Sequence, residues 1–301
     1  MSLFKRARNS FGISFSAVTV ILLLTGISGA EEQGMSNLTK PSTEAKTESG
    51  KNLSTQPDRF SSDYIKGYFT DTGKMLSSPV NWDQGDWLKA GLVIGATSGL
   101  YLADGDIRNF AQKNQSTVGD RGAAVGNALG NPLYTLPPLG LFYLYGYLND
   151  DTKARRTSLL AVESLAISGA FTWTLKEVAQ RPRPYTGEAP TTWNGPSHKI
   201  ADYSFPSGHS TAAFSIASVV AEEYGANPFV PPIAYGLATL TGFARVYSDQ
   251  HWASDVFFGA AVGYFVGKVV VRYNTIQGNT NLKIMPMFSQ QGFGLTASYR
   301  F

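Results

Sequence analysis

The segment Phe205-Pro206-Ser207-Gly208-His209-Ser210 stands immediately before an apolar stretch, Thr211–Tyr224. Serine is a preferred N-cap, so we expect a helix to begin after Ser207. Glycine at 208 lets backbone N–H groups approach a ligand closely, and a helix N-terminus attracts anions. His209 would lie in the first turn, where it can give or take a proton. The segment therefore predicts an anion site at a helix start, the alternative being a capped helix with an incidental histidine.

A second segment closes the preceding apolar stretch, where Lys176 is followed seven residues later by Arg183-Pro184. Two helical turns bring residues seven apart near one face, and Pro182 and Pro184 are expected to stop the helix. Lysine and arginine that converge there suit a tetrahedral oxyanion. A basic helix C-terminus favoured by the helix dipole is the alternative. Arg181 is a second candidate for the anion, although the spacing fits Arg183.

The third segment begins at Ala244-Arg245 and contains His251 and Asp255. If both lie on one helix, residues four apart share a face, and the carboxylate can hold one imidazole nitrogen. The other nitrogen is then free, as a histidine nucleophile requires. An isolated pair of this kind can also be a helix-stabilising contact.

Six long apolar stretches predict six helices around one core, in an all-α domain. They are too long for strands and rich in glycine and alanine. Asp150 and Asp151 precede the third stretch, where the helix dipole favours acidic residues. The stretches are Trp87–Ala103, Leu136–Leu148, Ser158–Lys176, Thr211–Tyr224, Phe229–Phe243 and Val256–Val271.

Together and in this order, the three segments resemble the signature of the type 2 phosphatidic acid phosphatase (PAP2) and vanadium haloperoxidase superfamily. That signature is K-x6-R-P, then P-S-G-H, then S-R-x5-H-x3-D. The chain matches it with Lys176 to Arg183-Pro184, Pro206 to His209, and Arg245 to His251 to Asp255. Ala244 replaces the serine of the pattern, which affects one supporting hydrogen bond but no proton-transfer group. The resemblance covers roughly residues 85–272 and implies a six-helix bundle of the PAP2 type.

The resemblance also implies a metal-independent phosphatase without a cofactor, which works through a phosphohistidine. His251 would attack phosphorus while Asp255 orients it, and His209 would protonate the leaving alcohol and later activate water. The other motif groups would bind the phosphoryl oxygens. These are Lys176, Arg183, Ser207, Gly208 and Arg245. His198, in the loop between the first two motifs, is expected to be a solvated loop residue, with substrate contact as the alternative.

The expected substrate is a phosphomonoester or diphosphate, in particular a lipid phosphate such as phosphatidate or an isoprenoid diphosphate. A soluble periplasmic nonspecific acid phosphatase would use the same residues. A vanadium-dependent haloperoxidase would hold vanadate on His251, but that branch is expected to have a larger chain. The remaining interpretation is a helical envelope protein without activity, which two histidines within the motifs disfavour.

Charge and composition exclude several classes of protein. The chain has 25 Lys plus Arg against 22 Asp plus Glu, and the three bases of the acid-free residues 1–30 account for the excess. A chain that is neutral beyond that segment lacks the clustered basic surface of a nucleic-acid-binding protein. The absence of cysteine excludes a disulfide scaffold and a thiolate metal site.

The chain divides into four predicted parts. Residues 1–30 are a predicted signal peptide, because bases precede an apolar stretch at Val18–Leu24 and a cleavage site at Ser28 and Ala30. An uncleaved membrane anchor is the alternative. Residues 31–57 are mostly polar and predict a disordered tether. The helical phosphatase domain then covers residues 58–275, and residues 276–301 form a C-terminal part.

The C-terminal part, residues 276–301, predicts a short β-hairpin. Phe293, Leu295, Ala297, Tyr299 and Phe301 alternate with small or polar residues, and an earlier strand would end at the Ser289–Gly292 turn. The last strand resembles that of bacterial outer-membrane barrels. One hairpin cannot close a barrel, which needs about eight strands. Packing of the hairpin on the helical domain is the equally weighted alternative.

Location follows from the length and charge of the apolar stretches. Charge-free runs such as Ala90–Ala103 are short against the ~20 residues of a membrane span, and Glu163 interrupts another stretch. If all six helices spanned, Lys153, Arg155 and Arg156 would lie outside, against the positive-inside rule. We therefore expect an exported domain in the bacterial envelope, periplasmic and on or partly in a membrane, whether inner or outer. A six-span protein is the alternative.

Aromatic residues near the start of the body have two predicted roles. Tyr64, Phe69 and Trp87, with Tyr68 and Trp82, could form a belt at the membrane interface, where amphipathic rings prefer to lie. They could equally pack against the helical core.

Overall fold

The computed structural model describes residues 58–196, 203–279, 282–289 and 292–299. In these ranges the chain forms eight α-helices. They are α1 (Ser62–Ser77), α2 (Gln84–Lys113), α3 (Thr117–Leu129), α4 (Pro132–Leu148), α5 (Thr152–Ala179), α6 (Gly208–Glu223), α7 (Val230–Tyr247) and α8 (Ala253–Asn279). The predicted signal peptide and tether, and His198, lie outside the described residues.

The helical class is confirmed, but the structure has eight helices within the described ranges where six were predicted. The six apolar stretches coincide with α2 and α4 to α8. The additional helices, α1 and α3, contain no long apolar run. Each begins at a capping serine: Ser61 Oγ accepts from Tyr64 N–H and Ser116 Oγ from Gly119 N–H, both at 3.1 Å.

Helix α5, which leads into the first motif, begins and ends as its sequence predicts. Asp151 Oδ1 accepts from Ala154 N–H at 3.0 Å, so this acid caps the helix N-terminus. The helix ends at Ala179, and Gln180 takes a left-handed conformation with φ 44°. Pro182 follows and cannot continue a helix. Arg183 therefore lies beyond the helix rather than on a face shared with Lys176.

Helix α6 lies at the centre of the domain, packed against α5, α7 and α8. Its side chains contribute to two groups of buried apolar residues. One lies between α5, α6 and α8 and contains Leu160, Ala161, Ile167, Val219, Val266, Val270 and Val271. The other lies between α6, α7 and α8 and contains Ala213, Phe214, Ala217, Ala238 and Ala260.

Three glycines spaced four residues apart on α8 let it approach the backbone of α6. A Cβ atom at Gly259 would lie 2.5 Å from Ser207 O, and one at Gly267 would lie 2.6 Å from Ser218 Cβ. At Gly263, between them, a Cβ atom would overlap the carbonyl oxygen of Thr211. Only glycine permits contact this close, so the two helices are fixed to each other by their backbones.

The described chain ends in two strands, β1 (Leu282–Ser289) and β2 (Gly292–Tyr299). They pair antiparallel, with Leu282 opposite Tyr299 and Ser289 opposite Gly292. Whether this part packs on the helical domain or enters a membrane stays a prediction.

A cluster of buried polar side chains joins α1, α5 and α8. Tyr64 Oη donates to Glu163 Oε2 at 2.9 Å, and Asn274 Nδ2 donates to the same oxygen at 3.4 Å. Asp71, 1% exposed, lies beside Glu163 and accepts from Lys74 Nζ at 3.0 Å. Tyr64 is itself buried, so it is not part of an interfacial belt, whereas Phe69 and Trp87 are exposed.

Glu163 makes the stability of the fold depend on pH. Burial raises the pKa of Glu163 from 4.5 to about 7, against the hydrogen bond from Tyr64, which lowers it. A raised pKa means that stability is fully present below about pH 4.5 and is lost as the pH rises through about 7. Glu163→Gln cannot ionise, so its melting temperature should fall less between about pH 5.5 and about pH 8 than that of the wild type.

Thermal unfolding across this pH range measures the difference. The free energy of unfolding of the wild type should fall by up to about 1.4 kcal/mol per pH unit, and that of Glu163→Gln should not show this fall. Glu188→Gln removes an exposed carboxylate and serves as the control, which should follow the wild type. Parallel curves for Glu163→Gln and the wild type would contradict a buried Glu163 with a raised pKa.

Large apolar side chains are exposed on α2, α4 and α7. Leu102, Leu133 and Ile233, one from each helix, are 85%, 79% and 60% exposed. Within the described ranges, two helices are long and apolar enough to cross a membrane, namely α5 and residues Ala253–Thr275 of α8. About half of the apolar window of each is buried within the domain.

Candidate active site

The first and second motifs meet where the chain leaves α5. Ser204 N–H donates to Arg181 O at 2.7 Å, and Pro182 forms a bridge with Tyr203. Lys176 Nζ, near the end of α5, donates to Tyr203 O at 2.8 Å. Lys176 therefore lies beside the segment that leads into Pro206-Ser207-Gly208-His209.

The start of α6 has the predicted cap. Ser207 Oγ accepts from Ser210 N–H at 3.4 Å, and Gly208 is the first helical residue. His209 follows in the first turn and is partly exposed. Ser207 N–H donates to Asp255 O at 3.0 Å, so the second motif is bonded directly to the third.

His251 does not share a helix with Asp255, contrary to the i, i+4 prediction. Helix α7 ends at Tyr247, Asp249 takes a left-handed conformation with φ 55°, and α8 begins only at Ala253. The backbone N–H of His251 donates to Arg245 O at 3.2 Å, which holds the turn against the end of α7. The left-handed residue reverses the chain, so His251 lies in the turn and Asp255 in the first turn of α8.

Asp255 reaches His251 through Ser204 rather than directly. His251 Nδ1 lies 2.8 Å from Ser204 O, and a carbonyl only accepts, so Nδ1 must bear the proton. Ser204 Oγ lies 3.3 Å from the same nitrogen and donates to Asp255 Oδ2 at 2.5 Å. The carbonyl of Ser204 thus holds the proton on Nδ1, which leaves Nε2 unprotonated as expected. Ser204, two residues before Pro206, was not among the predicted site residues.

The two motif arginines are held side by side by Gln250. Arg183 Nη1 donates to Gln250 Oε1 at 2.7 Å, and Arg245 Nη2 donates to the same oxygen at 3.4 Å. Arg245 Nη1 donates to Asn127 Oδ1 of α3 at 2.8 Å. Burial, and then the charge of Arg183, lower the pKa of Arg245 to about 10. Two neighbouring cations of this kind favour an anion between them.

Arg181, the alternative anion ligand, is directed away from solvent. It is 0% exposed and donates to Asp255 Oδ1 at 2.6 Å and to Asp104 Oδ2 at 2.7 Å. Its charge is already matched by carboxylates, so Arg183 is the arginine of this motif that a phosphate could reach. Ala244, the position that departs from the signature, is fully buried with Ala123 and Tyr247 between α3 and α7.

Burial and three cations keep both histidines neutral. Burial, followed by the charges of Arg245, Arg183 and Lys176, lowers the pKa of His209 to about 4. Burial and the same three cations lower the pKa of His251 well below its usual value. A neutral imidazole can act as a nucleophile or a base, but it must take up a proton before it can act as an acid.

A pocket of about 420 Å³ opens beside His209 and Arg245. Asn127 from α3 and Asn131 and Tyr134 from the start of α4 line its other wall. A second pocket of about 260 Å³ adjoins it, with Asn127 in both. Of these two pockets, the first is the one that His209 and Arg245 line.

Gly130, directly after α3, packs closely against His209 and Thr241. A Cβ atom at Gly130 would overlap the side chain of Thr241 and lie 2.9 Å from His209 Cβ.

Within the part of the chain that the structure describes, no three His, Asp or Glu side chains form a group that could hold a metal ion.

The three motifs lie within a match to a known protein family. The PAP2 superfamily matches at residues 157–278, which contain all three motifs, and this part of the chain belongs to that superfamily.

Two curated relatives are enzymes. The lipid A 1-phosphatase of Porphyromonas gingivalis is 45% identical over 67 residues, which are 22% of this chain and 15% of the relative. The undecaprenyl-diphosphatase of Bacillus subtilis is 28% identical over 143 residues, which are 48% of this chain and 71% of the relative. The chain thus spans less than a sixth of the first relative's length and more than two thirds of the second's.

Among solved structures, the crystal structure of a transmembrane PAP2-type phosphatidylglycerolphosphate phosphatase from Bacillus subtilis is similar. Its TM-score is 0.47 at 21% sequence identity, and the match covers 71% of this chain and 95% of that chain.

Proposed function

We propose that this protein is a metal-independent phosphatase that hydrolyses a lipid phosphate through a phosphohistidine intermediate. One observation carries the proposal: two neutral histidines lie among three cations, and one of the two, His209, lines an open pocket together with Arg245. The membership of residues 157–278 in the PAP2 superfamily supports it.

In the first step, His251 Nε2 attacks phosphorus and the bond to the leaving oxygen breaks. The Nδ1 proton stays on the ring, bonded to Ser204 O, so the phosphorylated ring is a cation. Lys176, Arg183 and Arg245 stabilise the charge that grows on the phosphoryl oxygens. Ser207 Oγ and the N–H of Gly208, at the N-terminus of α6, add neutral donors.

His209 transfers protons in both steps. It donates one to the leaving oxygen, then removes one from the water that attacks the phosphohistidine, which releases phosphate and regenerates His251. A bound phosphate places negative charge among the cations and so raises the pKa of His209. His209 then takes up a proton from solvent, and this is the proton that it donates to the leaving oxygen in the first step.

The substrate is a lipid phosphate, because the domain exposes large apolar side chains on α2, α4 and α7. Exposed apolar surfaces of this extent are typical of proteins that contact a membrane or a partner. The curated relatives, a lipid A 1-phosphatase and an undecaprenyl-diphosphatase, act on phosphorylated lipids according to their names. The protein is therefore an envelope enzyme that works at a membrane surface.

A phosphate-release panel tests the function. The mature protein is assayed with vesicles that contain phosphatidate, an isoprenoid diphosphate or lipid A, and with soluble p-nitrophenyl phosphate, each with and without EDTA. At least one lipid should be preferred over the soluble ester, and EDTA should have no effect. The best specificity constant on the soluble ester would instead identify an acid phosphatase, and loss of activity on chelation would identify a metal-dependent enzyme.

The membrane contact has its own variants on α2. Leu88 and Leu92, one helical turn apart, are 64% and 51% exposed. The double variant Leu88→Lys/Leu92→Lys should bind vesicles less in flotation and lose lipid hydrolysis, while p-nitrophenyl phosphate hydrolysis is retained. Ser98→Lys, at an exposed polar position on the same helix, is the control. Unchanged flotation of the double variant would contradict contact through this face.

Orthovanadate should inhibit and should raise the pKa of His209. Its trigonal-bipyramidal adduct resembles the transition state of phosphoryl transfer. The negative charge of the bound oxyanion compensates the cations that lower the His209 pKa to about 4 in the free protein. NMR titration of labelled histidine, assigned with His209→Gln, measures both states. Inhibition without any rise of the His209 pKa would show that His209 does not lie beside the bound oxyanion.

A further inference from the structure

Arg181 lies at the centre of a buried charge cluster that the proposed mechanism does not use. Its guanidinium donates to Asp255 Oδ1 at 2.6 Å, Asp104 Oδ2 at 2.7 Å and Ser254 Oγ at 2.8 Å. All three ionised side chains are at most 1% exposed. Burying three charges costs several kcal/mol each unless every one is paired and hydrogen-bonded, as these are.

Aromatic rings enclose the cluster. The Arg181 guanidinium lies 4.9 Å, 5.1 Å and 5.2 Å from the ring centroids of Tyr101, Trp193 and Trp252. Arginine is attracted to such ring faces, and the rings exclude water from its ion pairs. The guanidinium therefore has one orientation, with a donor directed at each carboxylate.

The cluster is connected to the imidazole of His251. From Arg181, the hydrogen bonds pass to Asp255, to Ser204 Oγ at 2.5 Å, and from there to within 3.3 Å of His251 Nδ1. Asp255 Oδ1 accepts from Arg181, while Oδ2 accepts from Ser204 Oγ–H and, at 3.1 Å, from Trp252 N–H. Rotation of the carboxylate away from Ser204 would therefore also break its bond to Arg181.

Asp104 balances the charge of this chain of bonds. Without Asp104, the guanidinium would act on Asp255 alone and weaken its attraction for the cationic ring of the phosphohistidine. Asp104 Oδ1 and Oδ2 also accept from Ser254 N–H and Oγ–H at 2.9 Å and 2.6 Å, which ties α2 to the start of α8.

We propose that Arg181 and Asp104 are positioning residues for the nucleophile, which hold His251 with Nδ1 protonated and Nε2 free by fixing Asp255 and Ser204. The proposal rests on the proposed function, in which His251 attacks phosphorus. Neither residue contacts the substrate, so both act on kcat rather than on KM.

The two residues should move the pH dependence of kcat in opposite directions. Burial raises the pKa of Asp255 to about 6, Arg181 lowers it and Asp104 raises it. In Arg181→Met the acid limb of kcat for p-nitrophenyl phosphate should therefore shift to higher pH, with kcat reduced about 100-fold at neutral pH and KM changed by less than about twofold. In Asp104→Asn the acid limb should shift to lower pH.

Three further variants keep the test independent of folding defects. Arg181→Lys retains the positive charge but lacks the planar guanidinium that donates to both carboxylates. It should recover part of the kcat that Arg181→Met loses. Arg181→Met/Asp104→Asn restores the net charge of the cluster, so its acid limb should lie nearer to that of the wild type. Arg156→Met removes another buried arginine, paired with Glu223 at 3.0 Å, and should lower stability without moving the limb.

The tautomer of His251 gives a readout without turnover. Imidazole ¹⁵N shifts should report a single Nδ1-protonated form in the wild type and a mixture of tautomers in Arg181→Met. Unshifted limbs, or limbs that shift in the same direction, together with an unchanged tautomer, would overturn the positioning proposal and leave the phosphatase intact. A wild type that releases no phosphate from any ester would instead refute the proposed function, and the tautomer would still test the positioning.

Discussion

His251→Ala is expected to lower phosphate release by about 10⁴-fold or more, because the variant cannot form the covalent intermediate. The remaining donors, Lys176, Arg183 and Arg245, would still bind the phosphate, so the loss should appear in kcat. An acid-labile, hydroxylamine-sensitive phosphoenzyme should accumulate in quenched wild-type reactions and be absent from the variant.

His198→Ala is the matched control for this substitution, since its side chain is the third histidine of the chain and is expected to be solvated. It should retain wild-type turnover. Hydrolysis by His251→Ala near the wild-type rate would show that the nucleophile is another group.

His209→Ala should give a loss that depends on the leaving group. A positioned general acid contributes about 10²–10⁴-fold, and its contribution grows as the leaving oxygen becomes more basic. With an alkyl lipid phosphate we expect a loss near the upper end of that range. With p-nitrophenyl phosphate, whose phenolate leaves without a proton, phosphohistidine should still form, but its hydrolysis should be slow because the base is missing.

A burst measurement separates these steps. His209→Ala should release about one equivalent of p-nitrophenol quickly and then turn over slowly, whereas His251→Ala should show no burst. An equal loss on both substrates, without a burst, would assign His209 to binding rather than to proton transfer.

The order of the three motifs, matched to the superfamily signature, predicted which side chains would lie near one another. Lys176, Arg183, His209, Arg245 and His251 lie together because each follows or precedes a helix end, and caps and prolines make helix ends readable from sequence. Ser207 and Asp151 cap α6 and α5 as their types predict.

The contacts between motifs could not be predicted, because they depend on tertiary packing. Asp104 is 77 residues from Arg181 in the chain, directly after an apolar stretch, and only the packing of α2 brings the two together. The partner of His251 is a backbone carbonyl, which every residue possesses, so no residue type marks it. An acidic residue within or directly after an apolar stretch, such as Glu163 or Asp104, is the sequence feature that suggests a buried carboxylate with a partner from another helix.

Helix boundaries were missed for a different reason. The i, i+4 spacing of His251 and Asp255 predicted one helix, but the left-handed Asp249 reverses the chain before it. Non-glycine residues take that conformation uncommonly, so the spacing of the motif residues did not indicate a turn there. Helix α3 was missed because its small residues give no apolar run, although Ser116 marks its start.

The glycine contact between α6 and α8 bears on which parts of the site can move. No layer of side chains separates the two backbones at Gly259, Gly263 and Gly267, so no rotamer change can let the helices slide past one another. His209 on α6 and His251 before α8 should therefore keep their separation throughout a catalytic cycle. Opening and closing of the pocket, which substrate entry and product release require, would then fall to α3 and α4 on its opposite wall.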